Sequence, residues 1–287
     1  MNNLEKVGVV GAGLMGSEIA LCFAISGSRV ILKDASLELA KRGIDRLSSV
    51  LDRNITKGRF EQQNKEATLA RIIPVHAWDQ FEETEIVIEA VFENLQVKSE
   101  VFKNLDQVCK PECLLFTNTS SIPITQLAST VQLQRRPRFL GTHFFAPVSV
   151  MQLVEVIVGL ETSEETATQA IEICRKIGKT PIRVKDVPGF AVNRILHAML
   201  IEACRLVEEE VVSVEDCDIA CKLGLGHPIG PYTLMDLAGN DLCLQVQEIL
   251  YQGYGERFMP RPNLKQKVYA EHLGRKAGTG WLKYGKA

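Results

Sequence analysis

The 287-residue sequence predicts an α/β protein with two domains, a doubly wound sheet domain over residues 1–187 and an all-helical domain over residues 188–287. Short apolar runs, which are typical of buried parallel strands, alternate with helical patterns throughout the first part. The glycine pattern G-x-G-x-x-G follows the first of these runs. Beyond Asp186-Val187-Pro188-Gly189 the strand patterns stop, so we place the domain boundary there.

The segment from Val7 to Asp34 is the centre of this prediction, because it has the order strand, glycine turn, helix, strand and acid. Gly11 permits the tight turn, Gly13 lets the backbone approach a pyrophosphate, and Gly16 lets the helix pack close to the strand. Free N–H groups at the helix N-terminus suit the phosphates. We therefore expect a Rossmann-type dinucleotide site with contacts from Gly11, Gly13, Leu14, Met15 and Gly16.

Asp34 predicts which dinucleotide binds. It lies 18 residues beyond Gly16, where a carboxylate at the end of the second strand can accept both ribose hydroxyls. The same carboxylate would repel a 2′-phosphate, so NAD is favoured over NADP. The positive charge of the neighbouring Lys33 weakens this preference only slightly. A glycine motif alone could be a flexible turn, but here the strands, the helix and the spaced acid agree.

Composition excludes several classes of protein. With 46% hydrophobic and 24% charged residues and a net charge of -2, the chain is an ordinary globular protein with no overall attraction to nucleic acid or membranes. No apolar run approaches the roughly 20 residues that span a bilayer. The N-terminus lacks the basic and apolar regions of a signal peptide, so we expect a cytoplasmic protein.

The eight cysteines do not predict a metal site. Four are isolated in apolar helical patterns and are typical of small buried hydrophobes. The other four form two CxxxC pairs with no histidine close by.

The remaining patterns place further polar residues at the same edge of the sheet. Strands are predicted near residues 72–73, 85–91, 114–116, 139–145, 154–158 and 182–184. In a doubly wound sheet, ligands bind outside the carboxyl ends of the strands, so Glu93, Asn118 and Ser120 belong near the cofactor. The helix of the glycine motif is expected to bury one apolar face, formed by Met15, Ile19, Leu21, Cys22 and Phe23.

A helix predicted from Ser36 to Lys57 ends in a basic cluster of Arg53, Lys57 and Arg59. Cations suit a helix C-terminus, so the cluster can be a solvated helix end. It can also be a binding site for a phosphorylated ligand beside the nucleotide. Spacing alone favours the solvated end.

The part after residue 189 shows long helical patterns over residues 190–212, 214–223 and 232–251. Proline and glycine separate these patterns. This part is too large and too apolar to be a tail, so we expect it to hold a dimer interface.

His143 and Glu155 are the candidate catalytic pair. A lone histidine in an apolar strand is more often a satisfied core residue than a catalyst. Glu155, however, stands alone in a second apolar strand, and a buried carboxylate needs a partner. If the two strands are neighbours, Glu155 can bind one ring nitrogen and leave the other as a general base. The other four histidines are given no chemical role.

Oxidation of an alcohol by NAD needs a base for the hydroxyl proton while hydride leaves carbon for the nicotinamide. Ser120 and Asn193 are candidates to hydrogen-bond the substrate oxygen. Each has an ordinary alternative, turn stabilisation for Ser120 and helix capping for Asn193, and the sequence leaves both open.

Seven segments in order resemble the NAD-dependent L-3-hydroxyacyl-CoA dehydrogenases, in particular the short bacterial 3-hydroxybutyryl-CoA dehydrogenases. They are VGVVGAGLMG, EAVFENLQVK, TNTSSIPIT, HFFAPVSVMQLVEVI, DVPGFAVNRIL, GHPIGPYTLMDLAG and LGRKAGTG. The resemblance covers essentially the whole chain. It implies an enzyme of fatty acid β-oxidation type that acts on (S)-3-hydroxyacyl-CoA thioesters.

The resemblance also implies roles for particular residues. His143 and Glu155 would be the catalytic pair, with Ser120 and Asn193 on the substrate oxygen. A homodimer through the helical domain is implied as well. Around NAD, Asp34 would be joined by Glu93, Lys98 and Asn118, and the CoA nucleotide would lie near Arg53 and Lys57.

One position departs from the family pattern. The family usually has HFFNP, whereas this chain has Ala146 in place of the asparagine. Loss of such a polar contact costs on the order of 1 kcal/mol, which predicts either a slower enzyme or a different acyl group. Two rival functions remain open: an NAD-binding protein with little turnover, and a β-hydroxy acid dehydrogenase for free acids, which would use a lysine base.

Overall fold

The computed structural model describes residues 4–284. The chain folds into two compact units, Met1–Val187 and Pro188–Ala287. The first unit contains one eight-stranded sheet. Its strands are β1 (Lys6–Val10), β2 (Arg29–Lys33), β3 (Ile72–Val75), β4 (Ile86–Glu89), β5 (Leu114–Thr117), β6 (Phe139–Phe144), β7 (Leu153–Val158) and β8 (Thr180–Lys185).

The sheet has the order β3-β2-β1-β4-β5-β6-β7-β8. The six strands from β3 to β6 are parallel, so their carboxyl ends lie at one edge. β7 is antiparallel to β6, and β8 is parallel to β7. The predicted doubly wound α/β fold is confirmed, and its reversed strand β7 places Glu155 directly opposite His143.

Helices cover this sheet, and polar side chains cap several of them. The Ser36 hydroxyl accepts from the Leu39 N–H at 3.2 Å, and the Asn94 side chain accepts from the Val97 N–H at 3.1 Å. The helices are α1 (Leu14–Ile25), α2 (Leu37–Thr56), α3 (Lys65–Ala70), α4 (Leu95–Val108), α5 (Ile124–Ala128) and α6 (Glu164–Lys176).

The prediction that α1 buries a single face is wrong. Nine consecutive residues, from Gly16 to Ala24, are buried. The reason is that α1 packs against α2 and α3 as well as β1 and β2, so its outer side is covered too. A helix that is buried all round loses the 3.6-residue alternation that identifies a surface helix.

The second unit is helical in the described residues, with a core around the fully buried Tyr232 and Met235. A single helix over residues 232–251 is not observed, because Gly239 has a φ of +112° and separates two helices. No described helix is long and apolar enough to cross a membrane. The helices are α7 (Val192–Glu208), α8 (Val214–Gly224), α9 (Pro231–Ala238), α10 (Asn240–Tyr254) and α11 (Pro262–Tyr269).

His197 of α7 is a buried histidine, 4% exposed, whose Nδ1 has no hydrogen-bond partner within residues 4–284. Burial lowers its pKa to about 4. As the pH falls below the ordinary histidine value, the unfolded chain therefore takes up a proton that the folded chain does not bind. Folding stability is lost over this acidic range, by about 3 kcal/mol once the pH reaches the folded pKa.

We predict that His197→Leu flattens this acid sensitivity. Its melting temperature should fall less than that of the wild type between about pH 7 and about pH 5, because no proton is bound there on unfolding. Thermal unfolding across this range is the measurement, and His76→Gln, which removes an exposed histidine, is the control. If the melting temperatures of wild type and His197→Leu fell equally over this pH range, the prediction would be contradicted.

Candidate active site

The glycine turn between β1 and α1 is tightly packed on its inner side. Gly11 has a φ of +101°, and a Cβ there would lie 2.5 Å from the Ala90 carbonyl oxygen beyond β4. A Cβ on Gly16 would lie 1.8 Å from the Gly11 carbonyl oxygen. The close approach at Gly16 is thus to the turn itself, so neither position accepts a larger residue.

The outer side of the same turn is open. Gly13 is exposed, and a Cβ there would meet no atom within 4 Å. Leu14 is 61% exposed and Met15 is half-buried, and α1 begins at this point. A helix N-terminus with an open backbone in front of it has the shape and polarity that a pyrophosphate requires.

Asp34 lies against this turn at the end of β2. Its Oδ2 accepts from the Ala12 N–H at 2.7 Å, and its Oδ1 accepts from the Ala35 N–H at 2.7 Å. Lys33 places its ammonium 4.2 Å from the centroid of the Trp78 ring and donates to the Asp34 backbone carbonyl. Burial lowers the pKa of Lys33. The Asp34 carboxylate therefore lies against the glycine turn, while the Lys33 ammonium contacts the Trp78 ring.

His143 and Glu155 face each other across β6 and β7. The distance from His143 Nδ1 to Glu155 Oε2 is 2.8 Å, and the two residues are 5% and 0% exposed. A carboxylate accepts hydrogen bonds, so the ring proton belongs on Nδ1 and Nε2 keeps its lone pair. His143 Nε2 lies 3.0 Å from Ser120 Oγ, which can donate its hydroxyl proton to this lone pair.

Ser120 does not stabilise the turn in which it lies. That role belongs to Thr119, whose hydroxyl oxygen accepts from the Ile122 N–H at 3.0 Å. The Ser120 hydroxyl instead contacts the catalytic candidate His143. The ordinary alternative considered for Ser120 is therefore wrong.

Glu93 fixes the loop that carries Ser120. Its Oε1 accepts from the backbone N–H groups of Ser120 and Ser121 at 2.9 and 2.8 Å, and from the Thr119 hydroxyl at 2.6 Å. Burial by itself would raise the pKa of Glu93, but the charge of Lys98 and these hydrogen bonds outweigh it and lower that pKa. Glu93 is therefore an anionic anchor for the Ser120 loop.

Lys98 is one of the most buried side chains in the protein, at 1% exposed. Its ammonium lies 2.8 Å from Glu89 Oε1 and 3.4 Å from Glu93 Oε2, and it donates to the Val91 carbonyl at 3.3 Å. Lys98 thus connects two carboxylates at the carboxyl end of β4.

Glu89 was missed by the sequence analysis. It is the last residue of β4, is 0% exposed, and accepts from Lys98, from the Val91 N–H at 2.6 Å and from the Thr117 hydroxyl at 2.7 Å. Burial raises its pKa despite the opposing charge of Lys98. Like Glu155, Glu89 is a lone carboxylate in an apolar strand, and a buried carboxylate of this kind needs a partner.

Asn118 joins two strand ends at the same edge. Its N–H donates to the Glu89 carbonyl at 2.7 Å, and its side-chain Oδ1 accepts from the Phe144 N–H at 2.9 Å. The residue after His143 is therefore held by the end of β5.

Arg53 and Lys57 are both exposed at the C-terminal end of α2. This 20-residue helix begins shortly after Asp34, so its far end lies about 30 Å from that carboxylate. Their exposed position matches a solvated helix end.

Asn193 is half-buried and belongs to the helical unit, where it is the second residue of α7. The N-cap position of this helix is occupied by Ala191, two residues before Asn193. The capping alternative for Asn193 is therefore wrong. Among residues 4–284, no three or more His, Cys, Asp or Glu side chains are grouped to hold a metal ion.

A doubly wound sheet with an open glycine turn, an acid at the end of the second strand and an acid-paired histidine is typical of the class of NAD-dependent dehydrogenases. Comparison of the sequence with models of known protein families identifies the family within this class. The model of the 3-hydroxyacyl-CoA dehydrogenase NAD binding domain matches residues 6–187, and that of the C-terminal domain matches residues 189–284. The chain belongs to the 3-hydroxyacyl-CoA dehydrogenase family and is an NAD-dependent enzyme of that family.

Relatives match over their full length. A probable 3-hydroxybutyryl-CoA dehydrogenase of Deinococcus radiodurans is 45% identical, covering 97% of this chain and 100% of the relative. A protein of the same name in Bacillus subtilis is 42% identical over 98% of both chains. The crystal structure of (S)-3-hydroxybutyryl-CoA dehydrogenase PaaH1 from Ralstonia eutropha is 41% identical, with a TM-score of 0.95 over 99% of this chain and 100% of the other.

We predict that Asp34→Ala weakens NADH binding by about tenfold and narrows its advantage over NADPH, because two ribose hydrogen bonds and the charge that repels a 2′-phosphate are lost. Titration of both cofactors followed by their fluorescence measures this. Asp45→Ala removes an exposed carboxylate from α2 and is the matched control. Unchanged NADH affinity in Asp34→Ala would place the ribose elsewhere.

Proposed function

We propose that this enzyme interconverts (S)-3-hydroxyacyl-CoA and 3-oxoacyl-CoA thioesters of short acyl chain, with His143 as the general base. The observation that carries the proposal is the position of His143 between two partners. Glu155 Oε2 lies 2.8 Å from one ring nitrogen and Ser120 Oγ lies 3.0 Å from the other. A buried histidine that is oriented on one side and meets a hydroxyl on the other suits proton transfer to and from an alcohol.

In the oxidising direction, His143 Nε2 takes the proton of the substrate hydroxyl. Glu155 keeps the ring in the tautomer with a basic Nε2 and stabilises the imidazolium that forms. Bound NAD+ supplies the hydride acceptor for the hydrogen that leaves the same carbon. In the reducing direction, the imidazolium returns its proton to the carbonyl oxygen.

Ser120 and Asn193 complete the proposed catalytic set by hydrogen bonds to the substrate oxygen. For Ser120 the support is its contact with His143 Nε2, which places the hydroxyl where the substrate oxygen must come. For Asn193 the support is the family resemblance of its segment, DVPGFAVNRIL.

The proposed cofactor site combines the glycine turn with the strand ends beside it. Asp34 and the open backbone at Gly13 support the ribose and pyrophosphate positions. Glu93 and Asn118 lie at the carboxyl ends of the neighbouring strands. The full proposed set is Gly11, Gly13, Leu14, Met15, Gly16, Asp34, Glu93 and Asn118, together with Lys98, which is 1% exposed and takes part through its ion pair with Glu93.

Short acyl chains are proposed because the relatives described above are named for 3-hydroxybutyryl-CoA. Ala146 lies exposed three residues beyond His143 and offers no side-chain hydrogen bond. An asparagine at this position would offer an amide to the ligand. Ala146 therefore bears on which acyl group the enzyme accepts, and not on which reaction it catalyses.

Two rival functions are weaker. An NAD-binding protein without turnover has no use for a histidine held between Glu155 and Ser120. A dehydrogenase of free β-hydroxy acids would use a lysine base, and Lys98 is 1% exposed and already paired with Glu89.

The helical unit is proposed to form a homodimer. Large apolar side chains are exposed on it, including Ile195 at 73%, Leu223 at 83% and Tyr269 at 78%. Exposed apolar surface of this kind marks interaction sites. A cytoplasmic location and a part in β-oxidation are proposed with it, and eight free cysteines suit a reducing compartment.

We predict that the purified protein oxidises NADH with acetoacetyl-CoA and that His143→Gln and Glu155→Gln each lower kcat by about a hundredfold or more, because the base or its orienting charge is lost. NADH absorbance with acetoacetyl-CoA and with a longer 3-oxoacyl-CoA measures this. NADH affinity should stay nearly unchanged in His143→Gln.

Ala146→Asn is the matched variant in the same assay. Fast turnover of acetoacetyl-CoA by the wild type makes Ala146 a tolerated substitution. Slow turnover that Ala146→Asn restores means that the pocket suits another acyl group. If neither form turns over any thioester, the dehydrogenase proposal fails and the binding-protein function replaces it.

The basic end of α2 gives a separate prediction for the CoA nucleotide. In the Arg53→Ala/Lys57→Ala variant, KM for acetoacetyl-CoA should rise about tenfold, because two cations near the phosphates are lost. KM for acetoacetyl-N-acetylcysteamine, which lacks the nucleotide, should not change. Lys41→Ala, an exposed lysine of the same helix, is the control. Equal effects on both thioesters, or none on either, would leave these residues as a solvated helix end.

A further inference from the structure

Glu89 is a fully buried carboxylate at the end of β4, next to the loops that carry the candidate site. Its two oxygens accept three hydrogen bonds, from Lys98 Nζ at 2.8 Å, the Val91 N–H at 2.6 Å and the Thr117 hydroxyl at 2.7 Å. Val91 lies in the loop after β4, and Thr117 is the last residue of β5. One carboxylate therefore ties the ends of two neighbouring parallel strands together.

Lys98 extends this network from Glu89 to Glu93. The Glu89 carboxylate lies at 2.8 Å from its ammonium, the Val91 carbonyl at 3.3 Å and Glu93 Oε2 at 3.4 Å. An ammonium has three N–H donors, so these three acceptors match its capacity. Lys98 is consequently held in one place, and it holds Glu93 from behind.

Glu93 in turn holds Ser120. With Oε2 facing Lys98, its Oε1 is left to accept from the backbone N–H groups of Ser120 and Ser121. The hydroxyl of Ser120 then lies 3.0 Å from His143 Nε2. Each step in the series Glu89, Lys98, Glu93, Ser120 and His143 is a direct contact in the first unit.

We propose that Glu89 is a positioning residue for the dehydrogenase reaction, which fixes the loops after β4 and β5 to each other and so holds the Ser120 hydroxyl against His143 Nε2. This inference rests on the proposed function, because it assigns Glu89 an effect on catalysis only if Ser120 and His143 perform the reaction. A buried network of this kind preserves geometry that a single substitution can misplace.

Glu89→Gln is the first variant to make. An amide keeps the shape and one acceptor oxygen but removes the charge that holds Lys98. We expect kcat for acetoacetyl-CoA to fall about tenfold, because the Ser120 hydroxyl is no longer held in position. In a Ser120→Ala background, Glu89→Gln should therefore lower kcat by less than about twofold more, because coupled residues are not additive.

Asp106→Asn is the matched control for loss of a buried ion pair. Asp106 lies on α4, the helix that carries Lys98, and pairs with Arg135 at 3.0 Å, with side-chain exposures of 9% and 6%. The other partners of Arg135 are backbone carbonyls of residues 106, 109 and 110, outside the Ser120 loop. Asp106→Asn should lower the melting temperature while kcat stays at the wild-type level.

If Glu89→Gln does not fold, the Glu89→Gln/Lys98→Met variant replaces the buried pair with neutral groups, an exchange that is often tolerated in stability. Its kcat should still be about tenfold low, because Glu93 has lost its support. Wild-type kcat in either folded variant, or additive losses with Ser120→Ala, would overturn the role of Glu89. Full turnover by His143→Gln would instead show that the proposed function itself is wrong.

Discussion

The buried carboxylate is the constraint on which this site depends. Glu155 and Glu89 are both 0% exposed, and removing a charged group from water is costly unless it is paired. Glu155 is paired with His143, and Glu89 with Lys98. Leaving one partner of such a pair alone typically costs about 3–5 kcal/mol, so each acid fixes the position of the group that it meets. Their burial thus fixes His143 against β7 and Lys98 at the end of β4.

The sheet supplies the frame for both pairs. Parallel strands bring their carboxyl ends to one edge, which gathers the glycine turn after β1, Glu89 at the end of β4 and the Ser120 loop after β5. The antiparallel strand β7 continues the sheet beside β6, and the register of this pair sets Glu155 directly opposite His143. The register of one strand pair therefore decides whether the histidine has an orienting partner.

Much of this arrangement could be predicted from the sequence, because its signals are local. The glycine turn, the acid 18 residues later and the strand-end polar residues all lie within short segments with known geometry. The pairing of His143 with Glu155 followed from the cost of burying a lone acid. What the sequence concealed were long-range consequences: the full burial of α1, which depends on α2 and α3 packing over it, and the break at Gly239. Glu89 in EIVIEAV carries the same signal as Glu155, a lone acid in an apolar strand, but the sequence does not show that its partner is Lys98 on α4.

The central claim is that Glu155 keeps the proton of His143 on Nδ1 and leaves Nε2 as the base. Nitrogen-15 NMR of the imidazole ring tests it most directly, with the His143 signals assigned by their absence in His143→Gln. The account predicts a protonated Nδ1 and an unprotonated Nε2 in the neutral ring, and loss of this single tautomer in Glu155→Gln. A neutral ring with its proton on Nε2, or a tautomer unchanged in Glu155→Gln, would contradict it.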